Sequence, residues 1–282
     1  MFTHLLITRF NIIQEWYQHA NRNAANVQTD EWLEERFRLF DAYCYPSVAA
    51  QDTSKFTWIV LFNSETPDKY RQLIAKYEQK CPTMQATFLE PFGNEDALIQ
   101  QEISKRLTDD VSHIITTRLD SDDMIRADYI SLIQSCFKPE MEDVFLNYAH
   151  GFQFDETQKI LYDNPNKDQG HYLSRVVTIN NRNNTVLVDH SIVASLAEYI
   201  EMDVTPGPAW VETIHSCNAW NRLASRRPLY NTKELKLLPP LNLSKSMYLK
   251  KRIEWIIFYS SMWIRRKIEK HIILRIKALF TK

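Results

Sequence analysis

Ile114-Ile115-Thr116-Thr117-Arg118-Leu119-Asp120-Ser121-Asp122-Asp123 is the stretch on which the reading of this chain turns. Its first residues are apolar and β-branched, the composition of a strand buried on both faces. Three carboxylates in four positions then end it. Placed together they repel one another and raise one another's pKa unless a cation neutralises them. Hard oxygen ligands at a strand end suit Mg²⁺ or Mn²⁺, which keep bound waters and accept substrate phosphates as further ligands. A calcium EF-hand loop is excluded, because Met124 and Ile125 stand where Asp/Asn and Gly are required. The competing reading is a set of capping carboxylates for a helix over 125–137. Asp109-Asp110 lies before the strand, at the opposite end of the sheet, and reads as a solvated turn.

Outward from this stretch, two hydrophobic periods alternate. Thr3–Thr8 is a short apolar run ending in Arg9-Phe10-Asn11, Phe56–Phe62 is a continuous β-rich run, and Met84–Leu89 is a third strand before the fourth at Ser112–Leu119. Between them, Leu33, Phe37, Phe40 and Cys44 recur at helical spacing within residues 30–44. Tyr70, Leu73, Ile74 and Tyr77 make a second helical face, and Leu98, Ile99, Ile103 and Leu107 a third. Thr66-Pro67 predicts an N-cap with proline at the first helical position, and Asn94 predicts a cap before Glu95 and Asp96. Tyr129–Phe137 is again helical. Alternation at this spacing predicts an α/β fold of right-handed βαβ units, with a mainly parallel sheet and helices on both faces. Ligands of such sheets bind beyond the carboxyl ends of the strands. Those ends are Thr8-Arg9-Phe10-Asn11, Asn63-Ser64-Glu65, Glu90-Pro91 and Arg118 to Asp123.

Composition narrows the chemistry. With 282 residues, 44% of them hydrophobic, the chain can bury a large core and is not a disordered or collagen-like polymer. Only four glycines occur, and they lie far apart, so G-x-G-x-x-G, P-loop and G-x-S-x-G motifs are all absent. A cation on the carboxylates is then the alternative holder of phosphates. The four cysteines form no C-x-x-C pair, which argues against a zinc ribbon or a thioredoxin-like site and fits a reducing compartment. A net charge of −1 offers no global argument for nucleic-acid binding. Met1 to Phe10 lacks the basic start and long apolar run of a secretory signal, so a cytoplasmic location is expected.

Beyond about residue 139 the pattern is less regular. Short strands are expected at Val144–Tyr148, Phe152–Phe154, Ile160–Tyr162 and Arg175–Ile179, with another at Val186–Val188, and helices at 191–199 and 209–224. One domain over 1–238 is expected, with a strand-end binding half to about 138 and a second half from 139. Pro239-Pro240 makes a hinge before a tail over 241–282. The near-zero net charge hides two unlike parts. Residues 1–240 carry 23 Lys/Arg against 33 Asp/Glu, and residues 241–282 carry eleven against two. A tail helix over 249–279 is expected, apolar nearly all round from 253 to 264 and bracketed by Lys250-Lys251-Arg252 and Arg265-Arg266-Lys267. Those twelve residues span only about 18 Å, short of a bilayer core of about 30 Å. Aromatic residues between basic brackets predict peripheral attachment to an anionic membrane surface, and packing on protein is the alternative.

Ile115 to Asp123 followed by Ala127-Asp128-Tyr129-Ile130 resembles the D-x-D region of GT-A-fold glycosyltransferases, especially family 2. Pro46-Ser47-Val48-Ala49-Ala50-Gln51 before Phe56-Thr57-Trp58-Ile59-Val60 resembles that family's helix-then-strand entry. Together with Thr8-Arg9-Phe10-Asn11, these are most similar to the rhamnosyltransferase family of bacterial surface-polysaccharide loci, over about residues 3–225. The resemblance implies a nucleoside-diphosphate sugar donor across the strand ends and a glycan or lipid-linked acceptor; the basic tail adds the expectation of work at the inner face of a membrane. It places Asp120 by the ribose, Asp122 or Asp123 on Mn²⁺ or Mg²⁺, and Thr8, Arg9 and Asn11 around the nucleotide. Arg118 either assists a phosphate or forms a strand-end salt bridge. At the second strand end, where an aspartate commonly meets the base, this chain has Asn63 and Glu65 instead. An inverting transferase needs a carboxylate at the acceptor hydroxyl. Asp189, Glu198, Glu201, Asp203 and Glu212 are candidates, with Glu201 and Asp203 preferred as catalytic residues ahead of the Pro206-Gly207-Pro208 turn. Trp210 to His215 also looks like the family. His215 is thereby a further candidate metal ligand, and His190 is treated alike, with a helix histidine bonded to a nearby backbone group or carboxylate as the alternative for each. Two other functions stay open: a nucleotidyltransferase using the carboxylates for phosphoryl transfer, and a non-catalytic membrane-docked binding module.

Overall fold

A computed structural model gives the fold; it describes residues 1–14, 28–165, 172–188, 193, 198–202, 208–216, 227–230, 238 and 241–280. Two sheets organise it. The larger has seven strands: β1 (Phe2–Arg9), β2 (Thr57–Asn63), β3 (Met84–Leu89), β4 (His113–Arg118), β6 (Asp143–Tyr148), β9 (Leu173–Thr178) and β10 (Glu198–Met202). Their order is β10-β6-β9-β4-β1-β2-β3. All adjacent pairs are parallel except at β9, which runs antiparallel between β4 and β6. This is the mainly parallel sheet flanked by helices that the alternation predicts, with β9 as the antiparallel exception.

Strand period explains the burial. Leu6, Trp58, Val60 and Phe62 face one cluster, with Phe37 and Phe40 of the first helical segment and Tyr70, Ile74 and Tyr77 of the next. Leu5, Ile7, Ile59 and Leu61 face the other, against Ile99 and Ile103. A sheet covered on both faces needs continuous apolar strands, which is what β1 and β2 supply.

The helices are α1 (Asp30–Leu39), α2 (Tyr45–Ala49), α3 (Asp68–Lys80), α4 (Glu95–Ser104), α5 (Tyr129–Ser135) and α6 (Lys245–Phe280). Thr29 caps α1 through the Trp32 amide, and Asn94 caps α4 through the Ala97 amide at 2.9 Å, as expected of Asn94. Between α1 and α2 lies a π-helical turn, Phe40–Cys44, in which the Tyr45 amide reaches back five residues to the Phe40 carbonyl. Pro46 follows at once, and its missing N–H removes a donor that a regular helix would need. Thr66 does not cap α3. Pro67 holds the cap position, while the buried Thr66 hydroxyl donates to the Asn63 carbonyl and accepts from Asn11 Nδ2.

The second sheet has the order β12-β8-β7-β11-β5, with β5 (Met124–Ile125), β7 (His150–Asp155), β8 (Ile160–Pro165), β11 (Trp210–Ile214) and β12 (Pro228–Leu229). Here several expectations fail. The helix expected over 209–224 begins instead as β11, paired parallel to β7, and residues 217–224 lie outside the described ones. The helix expected over 191–199 gives way at its end to β10. Val186–Val188 is a turn tied to β4 by the Val186 amide on Thr116 Oγ1. Asp109-Asp110 is an exposed turn, as expected.

Candidate active site

The acidic stretch does not cap a helix. Asp128 holds the cap position of α5 without a side-chain bond, and β5 intervenes between the carboxylates and that helix. β5 pairs antiparallel with β11, Met124 opposite Val211 and Ile125 opposite Trp210. Continuing that register sets Asp123 opposite Glu212 and Asp122 opposite Thr213, two residues before His215. Two segments about ninety residues apart thus meet at the carboxyl ends of β1, β2 and β4.

Asp122 is the buried centre of the meeting. Arg36 Nη1 donates to its Oδ2 at 3.0 Å, and His215 Nε2 lies 2.7 Å from the same oxygen. The other arm of the Arg36 guanidinium donates to Ser121 Oγ. Burial opposes the Asp122 charge, but Arg36 and His215 more than offset it and hold the carboxyl well below its usual range. An ionised oxygen only accepts, so His215 donates from Nε2.

Asp123 has a different task. Its Oδ2 accepts from Tyr172 Oη at 2.7 Å and its Oδ1 from the Thr213 amide at 2.8 Å. Burial first, then the neighbouring charges of Asp122, Asp120 and Glu212, push its carboxyl well above the usual range. Both oxygens serve the framework, clamping β11 and Tyr172 against the strand end. Tyr172 in turn stacks on Trp210, ring centroids 4.3 Å apart. Asp120 is the open member of the three, its side chain 44% exposed and 4.0 Å from Arg118.

The remaining strand-end residues fall nearby on the same edge. Thr8 is buried and accepts from Trp58 Nε1 at 2.9 Å. Arg9 forks onto Glu95 through two bonds of 2.6 and 2.8 Å. Asn11 receives the Asn63 amide on Oδ1 at 3.0 Å and reaches Thr66 and Gln28 with Nδ2. The Asn63 side chain is oriented by Oδ1, which accepts from the Glu65 amide at 3.0 Å. That leaves the buried Nδ2 as a donor without a partner among the described residues. Glu212 is buried and accepts from Gln153 at 2.7 Å, whereas Glu198 is exposed. Glu201 lies on β10, paired with Asn147, and the description of that residue stops at its backbone. Asp189, His190 and Asp203 lie outside the described residues.

The donor set suits a divalent cation in part. Asp120 and Asp122 offer carboxylate oxygens, the ligand type of Mg²⁺ and Mn²⁺ sites, and His215 adds an imidazole, a softer ligand. Among the described residues no group of three or more His, Cys, Asp or Glu side chains forms a metal cage. A cation bound by one or two carboxylates plus substrate phosphates needs none. Arg36 and Tyr172 belong to the site although no sequence pattern marks them. Arg36 reads as a last-turn helix cation complementing the helix dipole, and Tyr172 precedes a strand.

No curated protein matches the chain. Among solved structures, the UDP complex of S. aureus TarS 1-349 is similar at 9% identity and a TM-score of 0.40, over 76% of this chain and 61% of that one. This chain therefore spans about three fifths of TarS 1-349. The inositol-1-phosphate CTP transferase from T. maritima is similar at 14% identity and a TM-score of 0.36, over 78% and 92% of the two chains. A family model is more direct: it matches residues 2–227, nearly all of the chain before the tail, and its description is "Putative rhamnosyl transferase". Carrying the strand-end carboxylates and the His215 segment within that match, the chain belongs to this rhamnosyl transferase family.

Proposed function

We propose that this protein is a glycosyltransferase that moves a sugar from a nucleoside-diphosphate donor to a glycan or lipid-linked acceptor in cell-surface polysaccharide synthesis, with rhamnose as the sugar. The observation that carries the reading is the buried Arg36–Asp122–His215 cluster at the carboxyl ends of the parallel strands, within a chain of the rhamnosyl transferase family. We assign Asp120, Asp122 and His215 to Mn²⁺ or Mg²⁺, with Asp123 as the clamp behind them. A cation there would neutralise charge on the departing nucleoside diphosphate. We also assign Asp120 to the ribose, beside its part in holding the cation, and Arg118 to a phosphate. Asn63 and Glu65 take the base, the orphaned Asn63 Nδ2 supplying a donor for a base carbonyl. Thr8, Arg9 and Asn11 shape the edge of the nucleotide pocket through their bonds to Trp58, Glu95 and Thr66. We assign deprotonation of the acceptor hydroxyl to Glu201 or Asp203.

Arg36 takes a role of its own in this reading. A guanidinium and a divalent cation compete for one carboxylate oxygen, so Arg36 turns to the diphosphate that arrives with the metal. Its planar fork suits a phosphate bidentately.

Calorimetric titration with Mn²⁺ and UDP, dTDP or GDP tests the proposal. One nucleotide is expected to bind in a metal-dependent way, and Asp122→Asn to abolish that dependence. If no nucleotide binds, or if Asp122→Asn binds the pair as the parent does, the reading fails. Release of pyrophosphate from a nucleoside triphosphate and a sugar phosphate would instead assign nucleotidyl transfer.

A further inference from the structure

We infer that α6 docks on an anionic lipid surface, lying in its plane. Seven of the nine large apolar residues exposed in the described structure fall on this one helix, between Leu249 and Trp263. Leu249, Ile253, Ile256, Ile257 and Trp263 follow one another at i, i+4, i+7, i+8 and i+14, so at 3.6 residues per turn they form one stripe. Ile253, Ile257 and Trp263 are each about 60% exposed. Among the described residues, the body meets the start of the helix, where the Ser244 amide meets the Lys159 carbonyl at 2.8 Å and Tyr248 stacks on Tyr230.

Charge selects the occupant. The tail carries eleven Lys/Arg against two acidic residues, grouped on both sides of the apolar segment as Lys250-Lys251-Arg252 and Arg265-Arg266-Lys267. A second copy of the helix, laid parallel or antiparallel, would bring like charges together at both ends of the contact. An anionic headgroup layer satisfies the cations and admits the apolar stripe at once. Arg252 already lies over the Trp255 ring, 4.8 Å from its centroid, the aromatic–cation pairing suited to a headgroup boundary. No helix of the described residues is long and apolar enough to cross a membrane, so the tail lies on the surface. The body, with ten more acidic than basic residues, is repelled by the same surface and stays on the aqueous side of the helix. This inference is independent of the transferase reading, since lipid binding and nucleotide binding are measured separately.

Co-sedimentation of the full chain with vesicles of phosphatidylcholine alone, or with 30% phosphatidylglycerol, tests it. Binding is expected to be at least tenfold tighter to the anionic vesicles and to weaken as salt rises toward about 0.5 M. Ile253→Glu with Ile257→Glu is expected to abolish binding, and Lys250→Gln with Lys251→Gln and Arg252→Gln to weaken it at least tenfold. An unchanged circular dichroism spectrum and urea midpoint are expected in both variants, which shows that the body is folded. Equal or absent binding to the two vesicle types overturns the proposal. So does a dimer in light scattering that Ile253→Glu with Ile257→Glu dissociates, or a preference for RNA that competes the vesicles away.

Discussion

At Asp122 one carboxylate oxygen serves both Arg36 and His215, and that crowding makes the residue responsive to whatever else binds. Arg36→Ala is expected to weaken nucleoside-diphosphate binding by about tenfold to a hundredfold, the range of one lost charge-assisted bond. Mn²⁺ alone should bind more tightly to the variant, because the competing cation is gone. Calorimetry of metal and nucleotide separately reads both effects. His4 on β1 carries a pH dependence of its own. Burial lowers its pKa from about 6.5 to about 3, and its ring nitrogens meet Thr117 Oγ1 and Gln134 Nε2. The folded state keeps it neutral, so between those values the unfolded chain binds the extra proton. Stability is therefore full above about pH 6.5 and falls as the pH drops below it, by about 1.4 kcal/mol per unit. Urea denaturation at pH 5.5 and 7.5 should show that slope, and His4→Asn should remove it. Neither residue is legible in the sequence: a helix arginine and a strand histidine owe their roles to partners 86 and 113 positions away.

At the scale of elements, β7, β11 and the segment at Tyr172 form the wall behind the carboxylates. Gly151 on β7 faces the Trp210 indole so closely that an added Cβ would lie 2.1 Å from its Cδ2. Gly151→Ala therefore forces β7 away from β11 or tilts Trp210 off Tyr172. A loss of about 1–3 kcal/mol is expected, as for other overpacked cores. Because Tyr172 holds Asp123, metal–nucleotide affinity should fall with stability, which paired denaturation and calorimetry would show. The elements of the first half were legible because each declares itself locally. Met84–Leu89 matches its expected bounds, and Asn94 caps where its side chain and the following acidic turn predict. Trp210–Ile214 misled because Trp-Val-Glu-Thr-Ile suits a helix or a strand equally. Its ladder with β7 and β5 settled the matter, and no local pattern records that partner.

For the whole molecule, ligand and fold are linked. A nucleotide and metal that bind only the native state stabilise it by about 2.7 kcal/mol at a hundred times Kd. A thermal shift with the cognate nucleoside diphosphate and Mn²⁺ is expected for the parent chain and should vanish in Asp122→Asn, while Arg38→Gln, on the outer side of α1, keeps it.

The strand–helix alternation to residue 137, the carboxylates at the end of β4 and the division between an acidic body and a basic tail can all be read from the residues in order. Hydrophobic period, capping and charge are local properties, so they can be read without knowing what packs where. That β9 runs antiparallel within the sheet, that β5 and β11 bring His215 to Asp122, and that Arg36 completes the cluster emerge only once the chain is folded. Those are pairings across long stretches of chain. Their energy lies in cross-strand ladders and buried charge contacts that exist only after the chain has closed.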